Sequence, residues 1–341
     1  MSNVIYKIKS LLASTKLTTP GVSDEKTNVK SICLILINVG LGDAIMATSF
    51  LRVLKDTGHT VDILIAKKLT SLFENNNDIN NIIIAGDESY RAKEEYDLVI
   101  DPYSHCGWYF TYKYMKVLST LKYKKLSGFD VKIPGKYSDN YIPDTKAIHI
   151  TDYYRHIVDK YIGHTTPFPD NYILHFSDES RLLADKYIAS LPSGSLNVAF
   201  CPFASTNQRS FSEQQINSLL DMFAMMKNVS VILLMEKEKL EKVTLQDNTF
   251  YFEAPNFSSA AAVLCACDFV ISVDTSFVHV ANSHNKPLLA FYSSVYNDGY
   301  NTDTLCGPNY SNARQIINEK GISEISPDYI YAEVVKELER I

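Results

Sequence analysis

The chain has 341 residues, 46% hydrophobic and 21% charged, a globular balance over a length too great for one ordinary core, so two domains are expected. A formal net charge of -6 and the lack of any basic block exclude a general nucleic-acid binder. No signal peptide and no apolar run of about 18 residues is read, so no spanning helix is expected. Of the six cysteines only Cys265 and Cys267 are close, at a spacing that suits neither a zinc pair nor a redox pair. Cys33 and Cys201 open apolar strands, where cysteine behaves as a small core residue. A reduced, cytoplasmic protein without structural disulfides is expected.

The first thirty residues stand apart. Asn3–Leu12 (NVIYKIKSLL) puts Val4, Ile5, Ile8, Leu11 and Leu12 near one face, with Lys7 and Lys9 elsewhere. Thr18–Asn28 (TTPGVSDEKTN) reads as a linker. Lys7, Lys9, Lys16, Lys26 and Lys30 against Asp24 and Glu25 leave the segment at +3, five minus two. Such a helix suits peripheral contact with an anionic membrane surface. Equally, it can dock on its own domain or fray.

From Ile32 strands and helices alternate. Ile32–Asn38 (ICLILIN) is a continuous apolar run, as for a strand buried on both faces. Ala47, Phe50, Leu51 and Leu54 then line one face of a helix. Thr60–Ala66, Asn81–Gly86 and Tyr96–Pro102 are further strands, and Thr151–Gly163 closes this half as a helix. The pattern resumes with a strand at Leu196–Pro202. Ser212 and Gln215 form a capping box before a helix carrying Ile216, Leu219, Leu220 and Phe223. Strands at Val229–Met235, Asp268–Val273 and Pro287–Ser293, with helices at Phe257–Cys267, around Phe277–His284 and near Asp328–Glu339, complete the chain. The fold class is therefore α/β: two doubly wound, Rossmann-like domains with parallel sheets, facing a central cleft lined by the carboxyl ends of their strands.

Chemistry is expected at those ends. Gly40 and Gly42 let the backbone turn and approach a ligand beside a helix N-terminus. The pattern is neither a full dinucleotide fingerprint nor a P-loop. Asp43 at this turn is either a helix cap or a general base. Strand Phe269–Val273 ends at Asp274, with Thr275 and Ser276 opening a helix whose N-terminus can cradle a diphosphate. His279 falls one turn later, on the face of Thr275. Ser205, Thr206 and Arg209 follow the first strand of this half, and Arg209 can grip a phosphate in bidentate fashion or remain a solvated loop residue. Glu236 and Glu238 follow the next strand, where a carboxylate suits ribose hydroxyls. Lys122, Lys124 and Lys125 can meet an anionic acceptor or form a solvated run. No metal-ligand spacing and no Asp-x-Asp pair is present, so a leaving phosphate is expected to rely on Arg209 and a helix N-terminus rather than a metal.

Four stretches in order carry a resemblance: Val39–Lys55 (VGLGDAIMATSFLRVLK), Glu95–Asp101 (EYDLVID), Lys125–Asp130 (KLSGFD) and Ala266–Tyr292 (ACDFVISVDTSFVHVANSHNKPLLAFY). From Ser31 to about Ser326 the chain resembles glycosyltransferase family 9, the bacterial ADP-heptose:lipopolysaccharide heptosyltransferases. The resemblance implies a GT-B fold with an N-terminal segment (1–30), an acceptor domain (31–178), a nucleotide-sugar domain (179–326) and a C-terminal helix (327–341) packing back toward the first domain. It implies an inverting, metal-independent transfer, with no cofactor beyond a nucleotide-sugar donor, ADP-heptose favoured. The acceptor would be lipopolysaccharide, lipooligosaccharide or capsule. Asp43 matches the catalytic aspartate, Asp274 and Thr275 the donor Asp-Thr, His279 the histidine one turn on, Arg209 a phosphate-binding lysine, and Glu236 or Glu238 the ribose carboxylate. The chain departs from the family at Ser276 in place of glycine, at Arg209–Ser212 in place of Lys-x-Trp-Pro, and at Phe291–Ser294 in place of Phe-Gly-Pro-Thr. These changes leave the donor sugar open. An epimerase of similar architecture and a non-catalytic scaffold are the alternatives.

Overall fold

The computed structural model describes residues 2–17, 28–86, 95–103, 106–163, 167–294, 296–297 and 299–341. The expected linker lies outside them except for Asn28. The chain divides into two compact units, Met1–Pro169 with Tyr296–Tyr300 and Asp170–Val295 with Asn301–Ile341.

The first unit holds α1 (Ser2–Ser14), β1 (Ser31–Leu36), α2 (Leu41–Met46), α3 (Thr48–Asp56), β2 (Thr60–Ile65), α4 (Thr70–Phe73), β3 (Asn81–Ile84), β4 (Glu95–Asp101), α5 (Trp108–Leu118), β5 (Lys122–Phe129), β6 (Asp139–Tyr141) and α6 (Ile150–Ile157). Its six strands form one parallel sheet in the order β3-β2-β1-β4-β5-β6. Helices cover both faces of such a sheet, so the central strand must be apolar throughout. Ile32, Cys33, Leu34, Ile35 and Leu36 of β1 are all fully buried. On α3, Phe50 stacks on Tyr154 of α6 with ring centroids 4.9 Å apart.

The second unit holds α7 (Asp178–Ala189), β7 (Leu196–Cys201), α8 (Glu213–Ala224), β8 (Val229–Leu233), β9 (Thr249–Tyr251), α9 (Phe257–Ala266), β10 (Phe269–Val273), α10 (Ser276–Ser283) and β11 (Leu288–Ser293). After the two-residue strands β12 (Tyr296–Asn297) and β13 (Tyr300–Asn301) come α11 (Thr302–Leu305), β14 (Ala313–Asn318) and α12 (Pro327–Leu338). The second sheet is also parallel and six-stranded, in the order β14-β11-β10-β7-β8-β9. The Ser212–Gln215 capping box forms: the Ser212 hydroxyl accepts the Gln215 N–H at 3.2 Å, and Gln215 accepts the Ser212 N–H at 2.7 Å.

The division into units differs from the expected one at two places. The division falls near residue 169, not 178, because Asn282 of α10 binds the intervening stretch: its side chain accepts the Tyr172 N–H and its carbonyl accepts the Asn171 amide, each at 2.8 Å. The segment Tyr296–Tyr300 belongs with the first unit. There the Tyr300 ring lies 5.2 Å from that of Phe129, and its hydroxyl donates to Asp130 at 2.9 Å. Helix α12 packs its apolar face within the second unit. Ile330 and Val334 are fully buried in the core of the second unit with Phe211, Ile216, Leu219 and Phe223. The Gln215 amide also ties the start of α8 to the carbonyls of Ile322 and Ile325, just before α12.

Candidate active site

In the first unit the chain leaves β1 and turns at Asn38, whose φ is +55°. Asparagine tolerates this left-handed conformation better than most residues. Gly40 instead has an extended backbone, with φ of -80° and ψ of 172°, which any residue adopts. Its role as the sharp turn is therefore corrected, and the turn belongs to Asn38. Gly42 lies within the first turn of α2.

Asp43 stands at the third position of α2, half-buried, and its Oδ2 accepts the Gly40 N–H at 2.8 Å. The capping reading is thus realised in the geometry. An ionised carboxylate accepts several hydrogen bonds, so capping does not exclude proton abstraction. The surrounding loop is braced by groups the sequence did not single out. The Tyr114 hydroxyl donates to the Ile37 carbonyl at 2.7 Å, Lys113 donates to the Asn38 side chain at 2.7 Å, and the Tyr103 hydroxyl reaches the Asp43 carbonyl at 3.4 Å. Asp101, fully buried at the end of β4, receives the Tyr137 hydroxyl.

Lys122, Lys124 and Lys125, read as possible acceptor-side residues, lie apart from Asp43. They open β5, and Lys125 is paired with Leu98, which is level with Ile32 near the start of β1. At about 3.3 Å per residue, that is roughly 13 Å short of the carboxyl end of β1, on the edge away from Asp43. Lys124 is committed there to Asp97 at 2.7 Å. Burial pushes the Asp97 carboxyl up, but hydrogen bonds from Lys124, Ser31 and Lys30 outweigh it and bring it down to about 2.

In the second unit most predicted residues gather at one edge. β7, β8 and β10 are neighbours in a parallel sheet, so the segments after them share its carboxyl edge. Arg209 lies in a short 3-10 turn after β7, and Asp274 directly follows β10. The Arg209 guanidinium donates to Asp274 Oδ2 at 3.0 Å and to the Ser205 hydroxyl at 2.6 Å. Asp274 is 7% exposed. Burial pushes its carboxyl above the ordinary range, Arg209 pulls it back, and Asp303 pushes it up again. Thr275 caps α10 by position, but its side chain makes no capping bond. Ser276 opens the helix, half-buried.

Ser205 and Thr206 are exposed, and the Thr206 carbonyl accepts the Ser210 hydroxyl at 2.8 Å, which holds the loop closed. Glu236, three residues after β8, and Glu238 beyond it are exposed. His279 is less accessible than its position suggested. It is 3% exposed, with its ring 5.8 Å from that of Tyr172. Asp303, buried at the start of α11 and accepting the Ser294 hydroxyl at 3.0 Å, was not anticipated. Nothing in its local sequence marks it, since its nearness to Asp274 comes from the long return after β11.

This edge presents a preorganised cation, two hydroxyls and the N-terminus of α10, the elements of a diphosphate cradle. A cavity of about 360 Å³ elsewhere in this unit is lined by Phe269, Pro287, Leu288, Arg314, Glu337 and Arg340. It opens at the amino ends of β10, β11 and β14, and its arginines are paired with Glu337, so it is not part of the cradle. Among the described residues no group of three or more His, Cys, Asp or Glu side chains is placed to hold a metal ion. No described helix is long and apolar enough to cross a membrane.

Comparison with known proteins finds a match of residues 117–321 to the model of glycosyltransferase family 9 (heptosyltransferase). Over 330 residues the chain is 26% identical to an Escherichia coli (strain K12) protein named "Putative lipopolysaccharide heptosyltransferase 4", covering 86% of this chain and 83% of that one. The family 9 glycosyl transferase of Veillonella parvula DSM 2008 superposes with a TM-score of 0.72 at 18% identity, covering 92% of this chain and 98% of that one. The E. coli ADP-heptose lps heptosyltransferase II superposes with a TM-score of 0.69 at 19% identity, over 91% and 99% of the two chains. E. coli heptosyltransferase WaaC with ADP gives 0.68 at 13% identity, over 90% and 99%. The expected fold class, with its two doubly wound units, is the fold of these GT-B structures.

Proposed function

The chain belongs to glycosyltransferase family 9 and is a transferase, and from that premise we propose that it moves a heptose or related sugar from a nucleotide-sugar, ADP-heptose first, to a lipopolysaccharide, lipooligosaccharide or capsule-type acceptor. The observation that carries the reading is the Arg209–Asp274 pair beside the Thr275 end of α10 in a family 9 chain. In this reading Asp43 takes the proton of the acceptor hydroxyl. The oxygen attacks the anomeric carbon from the face opposite the leaving group. The bond from that carbon to the diphosphate oxygen breaks, and its electron pair leaves with the diphosphate, so configuration inverts. Arg209 and the N-terminus of α10 stabilise the departing charge, the task a metal performs in other transferases. Asp274 fixes Arg209 and, with Thr275 and Ser276, faces the donor, while Glu236 suits the ribose and His279 supports the cradle from behind.

The test is transfer with ADP-heptose and a lipooligosaccharide acceptor, by the wild type and by Asp43→Asn. The substitution keeps the side chain's shape and its capping oxygen, so the fold is retained while turnover drops about 10²- to 10⁴-fold. Near-wild-type turnover by folded Asp43→Asn would remove the base assignment. Epimerised donor formed without acceptor, or no thermal stabilisation by any of ADP, UDP, GDP and CDP, would overturn the transferase reading. A nucleotide at 100 times its dissociation constant should add about 2.7 kcal/mol.

A further inference from the structure

Helix α1 docks with its polarity reversed. It packs along α5, and the face it turns inward is Tyr6, Ser10, Ala13 and Ser14, with Leu17 beyond its end. Ser10 and Ser14 are buried, and the Ser10 hydroxyl lies 3.3 Å from the Trp108 carbonyl. The Tyr6 ring stands edge-on to that of Tyr109 at 5.0 Å. A helix that serves only its own unit buries its aliphatic side. Here Val4, Ile5, Ile8, Leu11 and Leu12 are 63%, 47%, 54%, 46% and 64% exposed. Of the thirteen exposed large hydrophobic side chains among the described residues, these five fall within nine positions. At 3.6 residues per turn they span about 120° of the helix surface, with Lys7 on one flank and Lys9 and Lys16 on the other.

The surroundings carry one sign of charge. Between Ser2 and Leu17, and again between Trp108 and Lys125, there is no aspartate or glutamate, in a chain whose net charge is -6. Lys7, Lys9, Lys113 and Lys116 lie on this pair of helices, and Lys16 in the turn just after α1. Trp108, Tyr109 and Tyr112 add rings with an apolar body and a polar tip, and Lys7 and Lys9 sit 5.5 Å and 5.8 Å from the Trp108 and Tyr112 rings.

We propose that the face formed by α1 and α5 is a docking surface for an anionic lipid bilayer. An aliphatic row edged by lysines and interfacial aromatics buries its apolar side chains among acyl chains and leaves its cations at the headgroups. A second copy of this face would bring lysines against lysines, which disfavours self-association. The position also has a use. Lys113 and Tyr114 of α5 hold Asn38 and Ile37, the residues that lead into the Asp43 loop. On the functional reading above, a bilayer on α1 brings a lipid-linked acceptor to the unit that carries Asp43.

The test is co-sedimentation of the full chain with vesicles of phosphatidylcholine alone, or of phosphatidylcholine and phosphatidylglycerol in equal parts, without donor or acceptor. Binding to the anionic vesicles, weakened by salt, is expected. The variant Val4→Ser/Ile8→Ser/Leu12→Ser changes only exposed side chains, so it should keep its thermal midpoint and bind at least about ten-fold more weakly. Asp43→Asn should bind like the wild type, so failure here and failure of the transferase reading are separable. Three results would overturn the proposal: no binding to anionic vesicles, undiminished binding by the triple variant, or a dimer in sedimentation analysis that the triple variant abolishes.

Discussion

Replacing Arg209 with alanine should destabilise the second unit in a pH-dependent way, and the size follows from Asp274. The Asp274 side chain is 9% exposed and its guanidinium partner 29%, so the pair is largely withdrawn from water. Removing one partner of such a pair costs up to about 3–5 kcal/mol, because an uncompensated charge stays behind. Protonation sets a ceiling on that cost. One pKa unit is worth about 1.4 kcal/mol, and an aspartate titrates near 3.9 in an unfolded chain, so neutralising it costs about 4 kcal/mol at pH 7 and about 1.5 kcal/mol at pH 5. Burial already raises the Asp274 carboxyl despite Arg209. Its contribution to stability is therefore fully present below the unfolded value and is lost as pH rises through the folded one. Arg209→Ala raises the folded value further and widens that loss. Urea unfolding should show a loss of about 2–4 kcal/mol at pH 7, falling to about 1.5 kcal/mol or less at pH 5. Adding Asp274→Asn should restore most of it, since no charge is then left buried. Equal losses at both pH values, or no rescue, would refute the reasoning. In calorimetry the same Arg209→Ala variant should bind ADP about 10- to 100-fold more weakly, the worth of a charge-assisted hydrogen bond.

The remaining predictions concern the frame around the site. Ile330→Ala should cost about 2–5 kcal/mol, because the side chain is fully buried in the second unit's core; hydrogen exchange should rise in that unit and not in the first. Lys122→Ala/Lys125→Ala should leave kcat/KM for transfer unchanged, since both lysines lie at the amino edge of the first sheet; a ten-fold loss would restore them to the acceptor site. Lys124→Ala should raise the Asp97 carboxyl from about 2 toward its ordinary range. A lowered carboxylate lends stability above its unfolded value and loses it as pH falls through the folded one, so urea midpoints of the variant should fall less than those of the wild type between pH 4 and pH 2.

Strands buried on both faces were legible because they must be apolar from end to end. The centres of both sheets, β1, β7, β8, β10 and β11, were read within a residue or two of their ends. The edge strands β6, β9 and β14, and β5 next to the edge, were not legible. β5 opens with Lys122 and Lys124 exposed around a buried Tyr123, so its first half lacks the continuous apolar run. Without that strand in the pattern, nothing in the sequence tells which end of the sheet the lysines occupy. Arg209 and Asp274 were legible for the complementary reason, since each follows a strong central strand and so sits at a carboxyl edge. Asp303 was not, because its closeness to Asp274 depends on a path out to Tyr296–Tyr300 and back.

The N-terminal helix shows where pattern reading stops. Its aliphatic row was visible in the sequence, and an amphipathic row is compatible with either an inward or an outward face. Only the packing partner decides. α5 offers the Trp108 carbonyl and the rings of Tyr109 and Tyr112, which suit serine hydroxyls and Tyr6 better than leucines. The small polar side is therefore the one that fits, and the aliphatic side is left facing out. A helix held this way loses little of its own packing if its outer face is changed, so Val4, Ile8 and Leu12 can be replaced to test docking without disturbing the Asp43 loop that α5 supports.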